Sequence, residues 1–229
     1  MLDVNELRVC YGQSEVLHGL DFSVKRGEIV AVVGRNGMGK STLMKSLIGV
    51  LPTAGGHIKI ADQDVTRLPS HARVQRGVAY VPQGRQIFGT MTVRENIETG
   101  LVVTGKKEIP GELYQIFPIL KEFDKRRGGN LSGGQQQQLA IARALASDPK
   151  VLLLDEPTEG IQPSIIKDIA RTLKQIRDMR DLCIVVCEQV LSFVLDVADR
   201  ILVIENGRIV HENARAEVDE AAISKFLAV

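Results

Sequence analysis

The chain has 229 residues, 44% of them hydrophobic and 25% charged, which is ample for one large folded domain and far from the composition of a disordered chain. Twenty-nine basic residues against 28 acidic ones leave a formal charge of +1, so no whole-molecule attraction to nucleic acid or anionic lipid is expected. The longest apolar runs, such as Ile29 to Val33 and Val151 to Leu154, fall far short of the ~20 residues that cross a bilayer.

The first residues, Met1-Leu2-Asp3-Val4-Asn5-Glu6, carry acids where a secretory leader carries bases, and they lack an apolar centre, so the chain is expected to stay in the cytosol. Strand-like segments at Leu7 to Cys10, Asp21 to Val24 and Ile29 to Val33 are separated by turn signals at Gly12, Gly19 and Gly27. After Gly34 to Ser41, apolar positions at Leu43, Leu47, Ile48 and Leu51 take helical spacing and are expected to stop at Pro52. From Gly84 to about Ser147 helical patterns take over, and Thr92-Val93-Arg94-Glu95 has the spacing of a capping box, so an inserted helical unit is expected there. Alternation then resumes with a buried strand at Val151 to Leu154, a helix at Ser164 to Asp178, and strands at Ile184 to Cys187 and Ile201 to Ile204. Asn206-Gly207 marks a turn, and Glu217 to Leu227 reads as a surface helix. Cys10, Cys183 and Cys187 have neither CxxC spacing nor a histidine cluster, so they are read as small buried hydrophobes rather than a disulfide or zinc set.

Gly34-Arg35-Asn36-Gly37-Met38-Gly39-Lys40-Ser41 satisfies G-x-x-x-x-G-K-[ST] between an expected strand and an expected helix, the context a P-loop requires. Its backbone N–H groups and the helix N-terminus would face phosphate oxygens, Lys40 would meet the β- and γ-phosphates, and Ser41 would offer its hydroxyl to Mg²⁺. Thr42 belongs to the same phosphate-binding set. The strand Val151 to Leu154 delivers Asp155 and Glu156 at its carboxyl end, where α/β sheets put their ligands. Asp155 is placed to hold Mg²⁺ and Glu156 to polarise an attacking water. Leu131-Ser132-Gly133-Gly134-Gln135 opens a further helix, with Ser132 and Gln135 at capping-box spacing. It is either simply a well-capped helix or a second anion-facing N-terminus.

In order and spacing, these three elements resemble the ATP-binding cassette (ABC) family across essentially the whole chain. The resemblance implies an α/β P-loop NTPase fold with a mixed sheet core (1–83 and 148–229), an N-terminal antiparallel β subdomain and an inserted helical subdomain (84–147), all in one ATPase domain over 1–229. It further implies ATP hydrolysis with ATP and Mg²⁺, and two cassettes paired head to tail, so that Ser132, Gly133, Gly134 and Gln135 complete the P-loop of the other. Tyr11 matches the aromatic that stacks on adenine, with a strand-edge core tyrosine as the alternative, and Gln83 matches the glutamine that touches Mg²⁺ and water. The implied partners are a second ABC ATPase subunit, two integral membrane permease subunits and, indirectly, a periplasmic or extracellular solute-binding protein, at the cytoplasmic face of the inner membrane.

Two departures qualify the match. Glu159-Gly160-Ile161-Gln162 stands where the family usually has Ser-Ala-Leu-Asp, and Gln189 occupies the position of the family's switch histidine, where it can bond the γ-phosphate without carrying charge. Pairing with an unlike cassette that supplies a histidine is therefore expected. Pro82 to Phe88 and Val186 to Gln189 resemble the second ATPase subunit of importers for branched-chain amino acids and urea, and Asp155 to Ser164 is closer to the urea branch. Urea or short amides are thus the expected solute, with branched-chain amino acids as the alternative. A soluble cassette ATPase outside transport is a more remote reading.

Overall fold

The computed structural model of the protein describes residues 1–218 together with Ile223 and Phe226. In chain order the elements are β1 (Leu2–Tyr11), β2 (Ser14–Val24), β3 (Ile29–Val33), α1 (Lys40–Ile48), β4 (Gly55–Ile60), β5 (Gln63–Asp64), α2 (Ser70–Gln75) and β6 (Val78–Val81). There follow α3 (Val93–Leu101), α4 (Gly111–Ile116), α5 (Pro118–Glu122), a 3₁₀ turn at Gly128–Asn130 and α6 (Gly133–Ala146). The chain then runs through β7 (Val151–Asp155), α7 (Pro163–Arg180), β8 (Cys183–Glu188), α8 (Leu191–Val197), β9 (Arg200–Glu205) and β10 (Arg208–Ala214).

Two sheets result. The smaller is antiparallel, in the order β2-β1-β4-β5, and the larger runs β10-β9-β3-β8-β7-β6, parallel except for the antiparallel edge strand β10. The strands β3, β7 and β8 are buried at every position, because both faces of a parallel sheet are covered. Their side chains alternate between two cores. Val30, Val32, Leu153 and Val185 join α1 and the antiparallel sheet, whereas Leu152, Leu154, Ile184 and Val186 join α3, α6 and α7. Between residues 84 and 147 the backbone is helical or irregular, with no strand beyond an isolated bridge from Thr92 to Arg127. The capping boxes that open α3 and α6 are both formed, and each satisfies two N-terminal donors of its helix.

Several expectations need correction. Gly19 is not a turn between strands. It is the extra residue of a bulge inside β2, where the register moves from Leu7 opposite Leu20 to Arg8 opposite His18, and its φ of +77° suits glycine. Helix α1 stops at Ile48 rather than at Pro52, because Gly49 takes a left-handed φ of +82° and Val50 N–H donates to the Lys45 carbonyl at 2.8 Å. Cys183 and Cys187 are buried, but Cys10 is only half-buried, one residue from the end of β1. Most of the expected helix over 217–227 lies outside the described residues; Arg215–Glu217 is a 3₁₀ turn. Among the described residues, no helix is long and apolar enough to cross a membrane.

Candidate nucleotide site

The site lies at the carboxyl ends of four adjacent parallel strands, β3, β8, β7 and β6, where the diverging loops of an open α/β sheet leave a crevice. β3 feeds Gly34 to Gly39 into α1, so that Lys40 and Ser41 begin the helix. The Asn206-Gly207 turn braces this loop from the side: Gly207 N–H donates to the Met38 carbonyl at 3.1 Å.

Lys40 is 4% exposed, and Nζ donates to the carbonyls of Gly34 (2.8 Å) and Arg35 (3.1 Å) and lies 3.4 Å from Glu156 Oε1. The lysine is therefore turned inward and faces the acid that follows β7. Ser41 Oγ donates to Asp155 Oδ1 at 3.2 Å, and the Tyr80 hydroxyl donates to Asp155 Oδ2 at 3.2 Å. Glu156 has a left-handed φ of +48°. Its carboxylate accepts from Gln189 Nε2 at 2.7 Å and from Gln83 Nε2 at 3.1 Å, while Gln189 also donates to Asn36 Oδ1 at 2.8 Å. One network thus joins residues that lie more than a hundred positions apart in the chain.

Asp155 is 2% exposed, and its burial pushes the carboxyl pKa above the ordinary aspartate value; the neighbouring Glu156 adds to this, while the hydroxyls of Ser41 and Tyr80 and the charge of Lys40 hold it down. Burial and the Asp155 charge push the Tyr80 phenol far up, so it remains a donor. A buried carboxylate bonded to neutral hydroxyls offers hard oxygen donors of the kind that suit Mg²⁺. Ser41 and Asp155 therefore fit that ion, while Gln83 is engaged through its amide nitrogen with Glu156. Among the described residues no cluster of three His, Cys, Asp or Glu forms a different metal site.

The remaining sequence candidates lie apart from this network. Tyr11 stands at the end of β1 with 48% of its surface exposed and is not part of the core. Ser132 Oγ accepts from Gln135 N–H at 3.4 Å, and Gln135 Oε1 accepts from Ser132 N–H at 3.0 Å. Among the described residues this segment has no hydrogen bond to the P-loop. A Cβ on Gly133 would meet Gly160 and Arg85, and one on Gly134 would meet Ile165. Gln162 precedes α7 without capping it through its side chain.

Three contributors escaped sequence reasoning. Tyr80 is one; its signal was a tyrosine near the end of a strand leading to Pro82-Gln83. Glu188 and Thr158 are the others, both buried: Glu188 Oε2 accepts from Thr158 Oγ1 at 2.8 Å, and Oε1 accepts from Gln189 N–H at 2.8 Å. An acid ending the otherwise apolar Cys183 to Cys187 strand was the available clue.

A family profile described as "ABC transporter" matches residues 17–159. The chain is 41% identical over 219 residues, 94% of each chain, to the high-affinity branched-chain amino acid transport ATP-binding protein BraG of Pseudomonas aeruginosa. It is 35% identical over 223 residues, covering 96% of this chain and 94% of the other, to the probable branched-chain amino acid transport ATP-binding protein LivF of Archaeoglobus fulgidus. Its fold matches the ADP conformation of MJ1267, an ATP-binding cassette of an ABC transporter, with a TM-score of 0.86, 26% identity and coverage of 100% and 99%. With a P-loop backed by two strand-end acids and likeness along nearly its whole length, the chain belongs to the ABC transporter family as an ATP-hydrolysing cassette.

Proposed function

We propose that this cassette powers import of a small polar solute, with Glu156 as the base that prepares water for attack on the γ-phosphate of ATP. The observation that carries the reading is the Glu156 carboxylate, held by Gln83 and Gln189 and facing Lys40 at the end of β7. Lys40, the amides of Gly34 to Ser41 and Thr42 bind and orient the phosphates, and Lys40 must leave Glu156 to do so. Tyr11 stacks on the adenine. A magnesium ion, when bound through Ser41, Asp155 and Gln83, would supply charge neutralisation on the phosphates. Ser132 to Gln135, remote from the P-loop of their own chain, act on the nucleotide of a companion cassette, and Gln189 favours a companion of different sequence that contributes a histidine.

The pair sits on two permease subunits at the cytoplasmic face of the membrane and is served indirectly by a solute-binding protein. The likeness to BraG and LivF supports branched-chain amino acids as the solute class. Urea rests on the string Asp155 to Ser164 alone. Uptake of labelled leucine and of labelled urea by the reconstituted transporter separates the two. Glu156→Gln is expected to keep ATP binding and lose phosphate release; hydrolysis that survives the change removes Glu156 from the role of base.

A further inference from the structure

We propose that Arg85 is a positioning residue for hydrolysis: its guanidinium clasps the loop that follows Glu156 and ties the presentation of that acid to helix α6. The inference rests on Glu156 being the base.

Four observations converge. Gly84, Arg85 and Gln86 take successive φ values of +74°, +66° and +46°, and Gln86 N–H donates to the Gly84 carbonyl at 2.6 Å. This closes a γ-turn around Arg85 in its rarer, strained form, which a non-glycine residue adopts only where the surroundings hold it. What holds it is Arg85 itself, whose Nη2 donates to the Glu159 carbonyl at 2.7 Å, together with Arg143 of α6, whose Nη2 donates to the Arg85 carbonyl at 3.3 Å. The guanidinium of Arg143 in turn lies 5.2 Å from the centre of the Phe88 ring.

The clasp lies against the start of α6. A Cβ added to Gly133 would be 3.2 Å from the Gly160 carbonyl and 3.3 Å from Arg85 Nη2. A cation beside a helix N-terminus is electrostatically unfavourable, and among the described residues Arg85 has no carboxylate within ion-pair distance. Its bond to a backbone carbonyl is therefore its main engagement. Finally, Gln137 lies one turn beyond Gly133 on the same face of α6, is 2% exposed, and has the one buried side-chain polar atom without a hydrogen-bond partner among the described residues, Nε2. Buried amides are almost always paired, and this one, on the Gly133 side of α6, is not.

Movement of α6 thus reaches Glu156 by a short route. Arg143 and Gly133 carry the displacement to Arg85, Arg85 carries it to the Glu159 carbonyl, and Glu159 N–H is bonded back to the Glu156 carbonyl at 3.2 Å.

The test compares Arg85→Ala and Arg85→Lys with the unaltered protein in the assembled transporter, measuring kcat, nucleotide affinity and thermal midpoint. A positioning role predicts that Arg85→Ala lowers kcat about tenfold while affinity stays within about twofold, since misplacing a reacting group costs turnover more than binding. The midpoint is expected to hold, and lysine, which can still donate to Glu159, to recover much of the loss. An unchanged kcat in Arg85→Ala overturns the proposal, as does a parallel fall of kcat, affinity and midpoint, or lysine doing no better than alanine. If the alanine variant does not fold, Arg85→Gln is judged by the same outcomes. Glu156→Gln run alongside separates the two claims: turnover surviving there removes the base, whereas turnover lost there with Arg85→Ala unaltered removes only Arg85.

Discussion

Replacing Tyr80 with phenylalanine keeps the ring and deletes a single hydroxyl, the donor to Asp155 Oδ2. A hydrogen bond to a charged group contributes about 1.5–3 kcal/mol, and the 3.2 Å length puts this one near the lower end. Asp155 already has its pKa raised by burial, and the Tyr80 bond is one of the contacts that restrain it. Its loss therefore raises that pKa further. Because the ionised carboxylate is the form that suits a metal ion, the acid limb of the kcat/KM profile for phosphate release should move to higher pH. The bond is made to the ionised form, so the cost in stability appears at neutral pH, a fall in thermal midpoint of roughly 3–6 °C for a chain of this size, and fades as Asp155 becomes protonated. The assay is kcat/KM for phosphate release across pH, measured with magnesium and ATP below saturation and paired with thermal unfolding at two pH values. An acid limb that stays where it was would refute the claim that the Tyr80 hydroxyl keeps Asp155 ionised for the metal.

Two other substitutions probe the same end of the sheet. Asp155→Asn removes a buried carboxylate of raised pKa, whose protonated form favours folding below the unfolded pKa and whose ionisation withdraws that stability as pH rises through the folded value. The nucleotide-free variant should consequently melt higher than the parent at pH 7, with the gain shrinking in acid, and should lose the magnesium-dependent rise in midpoint on adding ATP. Thr158→Val deletes the donor to buried Glu188 Oε2 and should lower stability in urea by about 2–3 kcal/mol, with Thr158→Ser close to the parent.

Local chemistry was the legible part of this sequence. The capping boxes at Thr92 and Ser132, the Asn206-Gly207 turn and the fully buried strands β3, β7 and β8 each follow from residues within a few positions of one another. Gly19 and Pro52 misled because a glycine can serve a bulge as readily as a turn, and because Gly49 ends α1 before proline can. The bonds from Ser41 and Tyr80 to Asp155 were out of reach for another reason. They depend on the strand order, which sets β6 beside β7 and β3 one strand further, and no spacing along the chain encodes that adjacency. The same holds for the inward turn of Lys40 and for buried Arg73, whose guanidinium donates to the carbonyls of Ser46 and Leu47 at the end of α1.

The amide of Gln189 that grips Glu156 gains or loses no proton anywhere near neutrality, unlike an imidazole. The donor side of that bond therefore stays the same across neutrality. An imidazole at this place would bring its own titration into the hydrolytic site; the amide adds none, so whatever pH dependence hydrolysis shows enters through other groups, buried Asp155 among them.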